Sequence, residues 1–288
     1  MAVFERTMRP FEGPFTPRRW RFLILARYAW RSIFSSRLLT GFFALCFGPV
    51  VAALIFAFLR NNPTALQTFQ IALGDMPALD DTFFFYFMRV QGILAVILAA
   101  FVGPGLIAPD LAHGALPLYL ARPFSRGDYV LGKATTLLVL LSSVTWLAAG
   151  LVWLLNGIMD PGPFTAGQLK TGFAIAFGGI VWVVVIALVS MAFSAWLRWK
   201  IPAGAAIFAT FFVSDAMAAI TNEIFKTQWA SLLSLRWSIV RAWEALFFST
   251  PRADGDLPAI TAWLALAAIS ALCLWVIHRK LRAYEVVS

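Results

Sequence analysis

Apolar residues in this chain gather into six long blocks, over 38–59, 83–108, 134–155, 172–196, 201–221 and 258–277. Each is close to the ~20 residues a helix needs to cross the ~30 Å hydrocarbon core of a bilayer. The pattern predicts an all-α polytopic membrane protein with six transmembrane helices. Between the fourth and fifth blocks lie only Arg198, Trp199 and Lys200, with Pro202 restarting the helix. One helix through both blocks would be far longer than a bilayer is thick, so two spans are predicted there.

Two polar-apolar mixtures flank the blocks. Residues 1–16 are expected to be a cytoplasmic tail, and Thr16 before Pro17 is a helix cap with proline in the first turn. Over 17–36, Arg18, Arg19, Arg21, Arg27 and Arg31 alternate with Trp20, Leu23, Ile24, Trp30, Ile33 and Phe34. That mixture predicts a basic amphipathic helix lying in the membrane interface. The rival reading is the ragged start of the first span. Before the last span, 222–257 carries Trp229, Leu232, Leu233, Trp237, Val240, Trp243 and Phe247 at helical spacing, interrupted by Arg236, Arg241 and Glu244. It is too charged and Trp-rich for a seventh span, and predicts outer helices that are interfacial or re-entrant. The transmembrane domain is thus 37–282, with a C-terminal tail over 283–288. No internal repeat or low-complexity run is evident.

Composition agrees. Hydrophobic residues make up 61% and charged residues 13%, against roughly 45–50% and 25% in soluble proteins. The net charge of +9 is informative by position. With the N-terminus inside, 16 of the 23 Lys and Arg fall on cytoplasmic segments, and the other seven are spread over the outer side. The positive-inside rule therefore places both termini in the cytoplasm. The charges flank apolar spans and match no nucleic-acid-binding motif, so they imply anionic lipid rather than nucleic acid. Cys46 and Cys273 sit inside apolar runs without CxxC spacing, which argues against disulfide, redox and metal roles. The start MAVFERTMRPFEGPF lacks an apolar region and is not expected to be a signal peptide.

The segment from Gly105 to Lys133 is the richest in candidate chemistry. Proline and glycine bracket a short amphipathic piece, 109–128, with Leu111, Leu116, Leu118, Tyr119 and Leu120 apolar and Asp110, His113, Arg122, Ser125, Arg126 and Asp128 polar. It predicts a compact cytoplasmic elbow, the shape a membrane domain needs to pass force to a partner; the bland reading is a connector. Arg122 precedes Pro123, which biases it away from helix, so the elbow turns there. An arginine at that turn is suited to bind a partner's carboxylate, with Asp110 in the complementary role at the other end.

This run resembles the signature of type-2 ATP-binding-cassette permeases, the membrane subunits of many bacterial exporters. The matching places are Asp110, Gly114-Ala115-Leu116, Leu120-Ala121-Arg122-Pro123, Ser125-Arg126, Tyr129 and Gly132-Lys133. The family often has Glu where this chain has Asp110, and Pro109 and Pro117 are further departures. The six spans, the basic N-terminal helix and the outer segment extend the resemblance over the whole chain. It implies a coupling segment whose residues are Asp110, Gly114, Leu116, Leu118, Tyr119, Arg122, Pro123, Ser125, Arg126, Tyr129, Gly132 and Lys133. That segment would seat in a groove of a separate ATP-hydrolysing subunit, which would hold ATP and magnesium. A second permease chain, identical or closely related, would complete the dimer in the bacterial inner membrane.

Other features point elsewhere or nowhere. Gly127 to Lys133 matches the phosphate-loop spacing GxxxxGK, but Ala134 replaces the magnesium-binding hydroxyl and no strand precedes it. Asp215 within the fifth block is a candidate intramembrane polar site; the bland reading pairs it with Arg89 or Lys226. His113 and His278 are far apart, so no metal site is expected, and no catalytic cluster is visible. The rivals to a transporter subunit are a membrane component that transmits conformational change without cargo, and a secondary transporter. The latter usually carries repeated halves and several buried polar residues.

Overall fold

The structure is a computed structural model describing residues 17, 20–68, 76–115, 119, 125–159, 164–248 and 257–282, without the side chains of 63, 65, 281 and 282. Among the described residues there are helices and turns and no strand. The helices are α1 (Arg21–Phe34), α2 (Arg37–Leu45), α3 (Gly48–Arg60), α4 (Pro63–Thr68), α5 (Asp81–Val102) and α6 (Pro104–Ala112). They continue with α7 (Arg126–Val144), α8 (Trp146–Met159), α9 (Ala166–Trp196), α10 (Lys200–Phe225), a 3-10 turn (Trp229–Leu233), α11 (Leu235–Phe247) and α12 (Ala259–Arg282).

Six helical stretches are long and apolar enough to cross a membrane: Arg37–Arg60, Asp81–Ala112, Arg126–Met159, Ala166–Trp196, Lys200–Phe225 and Ala259–Lys280. Each covers one predicted block. The third and fourth begin earlier than hydropathy suggests, because polar capping boxes open them: Ser125 with Asp128, and Thr165 with Gln168. Three stretches are broken helices. Phe47 and Pro49 separate α2 from α3, Gly103 and Pro104 separate α5 from α6, and Thr145 separates α7 from α8. Proline lacks the N–H that would continue the ladder. At the second break the freed amides of Ile107 and Ala108 donate to Ser194 Oγ at 3.1 and 3.0 Å, and Ser194 is fully buried. Non-helical backbone at membrane depth persists only where such a partner exists.

α9 is the centre of the bundle and touches α5, α6, α7, α8, α10, α11 and α12. Its small residues let neighbours come close, the main way helices associate where lipid is as apolar as leucine. A Cβ on Gly178 would lie 2.8 Å from the Trp243 ring, and one on Gly179 would collide with Trp146.

The expected basic helix over 17–36 is α1. Leu25, Ala26 and Ile33 are buried, largely on α7, while Arg27, Tyr28 and Arg31 are exposed. The tails over 1–16 and 283–288 lie outside the described residues. The segment predicted as interfacial or re-entrant helices packs into the bundle. After Lys226 the chain turns back, with the Asn222 side chain holding Ser231 Oγ and the Ala230 amide at 2.7 and 3.1 Å. α11 then buries Leu235, Ile239, Trp243 and Phe247 against α5, α9, α10 and α12. The charges that argued for an interface are neutralised locally: Arg241 meets Glu244 at 3.1 Å and donates to the Leu257 carbonyl at 3.2 Å. At 13 residues, α11 spans about 20 Å, too short to cross a bilayer.

Candidate functional site

The predicted elbow begins with a sharp helix end. α6 closes with the Ala115 amide donating to the Asp110 carbonyl at 2.8 Å and the Gly114 amide to the Leu111 carbonyl at 3.4 Å. This is the Schellman pattern, whose left-handed residue is Gly114 at φ +63°. A side chain there would be strained, which is why the Asp110-to-Gly114 spacing makes a stop.

The same turn fixes Asp110. Its Oδ2 accepts from Tyr129 Oη at 2.7 Å and lies 2.9 Å from Lys133 Nζ. Tyr129 and Lys133 are one helical turn apart on α7 and so share a face. Lys133 Nζ is also 5.6 Å from the Tyr129 ring centroid, and the Tyr119 ring packs on Tyr129 at 5.6 Å. The Lys133 and Asp110 side chains are only 11% and 17% exposed. α7 is itself tied to α1: a Cβ on Gly132 would lie 2.6 Å from the Phe22 carbonyl oxygen, and Trp30 Nε1 donates to the Thr136 carbonyl at 3.3 Å. The elbow is thus joined to α7 through one carboxylate, and α7 in turn to α1.

Of the sequence-predicted residues, Asp110, Tyr119, Tyr129 and Lys133 meet in this cluster. Gly114 ends α6. Ser125 caps α7, with its amide and hydroxyl donating to Asp128 Oδ2 at 3.0 and 2.8 Å. Arg126 is half-buried in the first turn of α7, and Gly132 receives α1. Leu116, Leu118, Arg122 and Pro123 lie outside the described residues. The Asp110 carboxylate, read from the sequence as suited to a partner's cation, is turned inward onto Tyr129 and Lys133. Residues 127–133 are not a phosphate loop: from Tyr129 onward their amides serve the helix, and Lys133 is held by Asp110.

Sequence reasoning missed a neighbour. Pro109, Ala112 and His113 share a groove of about 430 Å³ with Arg198, Trp199 and Lys200. Trp199 is 77% exposed there. Residues 198–200 were read as a break between spans and as cytoplasmic charge, not as a surface, although a tryptophan between two cations is itself an interface signal.

The second candidate site is also rearranged. Asp215 pairs with neither Arg89 nor Lys226. Its Oδ1 accepts from Ser234 Oγ at 2.8 Å, and its Oδ2 accepts from Arg236 Nε and Nη2 at 2.8 and 2.6 Å. Lys226 instead pairs with Glu223, one turn earlier. The return of the chain after α10 brings Ser234 and Arg236 beside Asp215, a contact that sequence distance hides. Arg89 rests on the rings of Phe85 and Tyr86, 5.7 Å from each centroid. No group of three or more metal-ligating side chains occurs among the described residues. No protein-family model matches the chain, and no curated protein matches it.

Proposed function

We propose that this chain is the permease subunit of an ATP-driven exporter of the type-2 ATP-binding-cassette kind, working as a dimer with a separate ATP-hydrolysing subunit. The observation that carries this reading is the meeting of Asp110, Tyr129 and Lys133, three residues of the family-like segment, in one buried cluster. A coupling segment has to move as a unit with the helices it drives. The cluster joins the end of α6 to the base of α7, and α7 to α1, so a push on the elbow reaches three helices. The exposed His113, Arg198, Trp199 and Lys200 surface beside it extends the docking face. In this reading α1 lies in the inner interface, 229–247 dips part-way into the bilayer from the outer side, and both termini are cytoplasmic in a bacterial inner membrane. The chain itself binds no ATP or magnesium.

Two measurements test it. The tagged chain, purified from its own membranes, is expected to bring down an ATPase subunit in equal amount, and alone to hydrolyse no ATP. Robust hydrolysis by the isolated chain, lost in Lys133→Ala, would overturn the division of labour. Single cysteines placed at Leu120 and Trp199 are expected to label only from the cytoplasm, and those at Gln70, Gly162 and Thr227 only from the other side. Outside labelling at Leu120 would remove the topology and the docking face together.

A further inference from the structure

The end of the bundle away from the elbow holds a small cavity of about 50 Å³, walled by Arg89, Gly92, Trp182, Phe211, Arg236 and Trp243. That is room for a few water-sized groups. Two of its walls lack acceptors. Arg236 is engaged by Asp215, but Arg89 makes no ion pair or hydrogen bond to the described residues, and only aromatic faces support it. Among the described residues, two arginines face one aspartate here, which leaves one positive charge uncompensated. Trp182 is 3% exposed and its Nε1 has no acceptor. That nitrogen sits over Gly92, where a Cβ would come within 2.9 Å of it. Arg89 lies eight residues into α5, roughly 12 Å from its start. An unpaired guanidinium at such depth is costly and marks a functional site by default. Both deficits are of the same kind, and one oxyanion between Arg89 and Trp182 meets both.

Two of the helices that wall the cavity, α5 and α10, continue into a different surface. An apolar groove of about 660 Å³ follows the α5–α10 seam, walled by Ile97, Phe101 and Pro104 on one side and Gly204, Phe208 and Val213 on the other. Gly204 lets the helices close on its floor, since a Cβ there would lie 2.8 Å from the Ala100 carbonyl oxygen. From Ile93 to Pro104 the seam runs roughly 16 Å, the scale of an acyl chain. Ile93, Phe101 and Phe208 are 44%, 55% and 45% exposed, so the groove is open along its length.

We infer that the α5–α10 seam binds one anionic phospholipid, its phosphate oxygens between Arg89 and Trp182 and one acyl chain in the groove. The head is recognised by charge, the tail by shape. The inference does not rest on the ATPase reading, because one chain carries the whole site.

The test is lipid retention by the purified chain in native mass spectrometry after exposure to equimolar phosphatidylglycerol and phosphatidylcholine. Wild type is expected to keep one phosphatidylglycerol per chain, with about fivefold preference over phosphatidylcholine. Arg89→Gln is expected to bring the two lipids to parity, and Arg89→Lys to retain part of the preference. Ala209→Trp, which fills the groove from α10 and leaves the head site intact, is expected to lose the bound lipid with unchanged helicity; it also serves if Arg89→Gln does not fold. Arg279→Gln removes an exposed cation stacked on Trp275 and is expected to change nothing. Equal retention of both lipids by wild type overturns the inference, as does a preference that survives Arg89→Gln. So does a loss in Arg279→Gln as large as in Arg89→Gln. A second copy of the chain covering the groove would show as efficient cross-linking of Ala209→Cys in native membranes with no lipid preference, and would equally overturn it.

Discussion

Replacing Asp110 with alanine is expected to lower the unfolding stability of the purified chain by about 3 kcal/mol, far more than a surface charge would. The reason is what remains behind. The Lys133 ammonium would be left at 11% side-chain exposure with, among the described residues, only the Tyr129 ring beside it, and the Tyr129 hydroxyl would lose its acceptor. Lys133→Ala should cost a similar amount, since it strands the carboxylate. Removing both charges should not cost twice as much. Asp110→Leu with Lys133→Met is expected to recover most of the loss, because each charge pays desolvation that an apolar pair avoids. A double-mutant cycle closed with the matching singles, Asp110→Leu and Lys133→Met, and read by denaturant unfolding in a neutral detergent should give a coupling energy of about 4–5 kcal/mol, the excess of two single losses of about 3 kcal/mol over a double loss of about 1–2 kcal/mol. If both single variants unfold within 0.5 kcal/mol of wild type, roughly the scale of a solvated pair, the elbow is not tied through this carboxylate. The double variant also separates two roles. If it is stable yet fails to bind the proposed ATPase subunit, the charges serve the docking face; if it binds normally, they serve the fold alone.

The six helices were legible because their signal is local and long: about 20 apolar residues carry it without help from the rest of the chain. The spacing of Tyr129 and Lys133 was legible for the same reason, being one helical turn. What Asp110 does was not. Its distance in sequence from Lys133 says nothing until Gly114 turns the chain, and a carboxylate next to a glycine stop reads equally well as facing in or out. The partner of Asp215 was hidden likewise, since Arg236 approaches only after the chain has reversed beyond Lys226. How deeply α11 packs was hidden for a subtler reason. Charged side chains at helical spacing with tryptophan imitate an interfacial helix, but Arg236 and Arg241 have carboxylates waiting for them, and the tryptophan fits glycines on α5 and α9 that only the packed bundle brings near. Arg89, the sequence's candidate partner for Asp215, rests instead on the Phe85 and Tyr86 rings.

Trp243→Ala is expected to be among the most damaging single replacements, about 3–5 kcal/mol in folding stability. Trp243 is 1% exposed, its Nε1 donates to the Gly178 carbonyl at 3.0 Å, and its ring meets Trp182 edge-on at 6.1 Å. In a bilayer the transfer of apolar surface contributes less than in water, so the loss comes mainly from packing and the stranded acceptor geometry. Trp243→Phe keeps much of the ring and removes the donor, so it should cost only about 1–2 kcal/mol. Gly178→Ala tests the fit from the other side. Its new Cβ would lie 2.8 Å from the Trp243 ring, and it should destabilise by about 1–3 kcal/mol through overpacking. Combined with Trp243→Ala, the same methyl enters an empty space and should be close to neutral or favourable, a non-additivity that general helix propensity cannot produce. Thermal unfolding in bicelles gives all four values. Should Trp243→Ala unfold like wild type, α11 would not be wedged into the bundle between α5 and α9, and the cavity that Trp243 walls beside Arg89 would lose its floor.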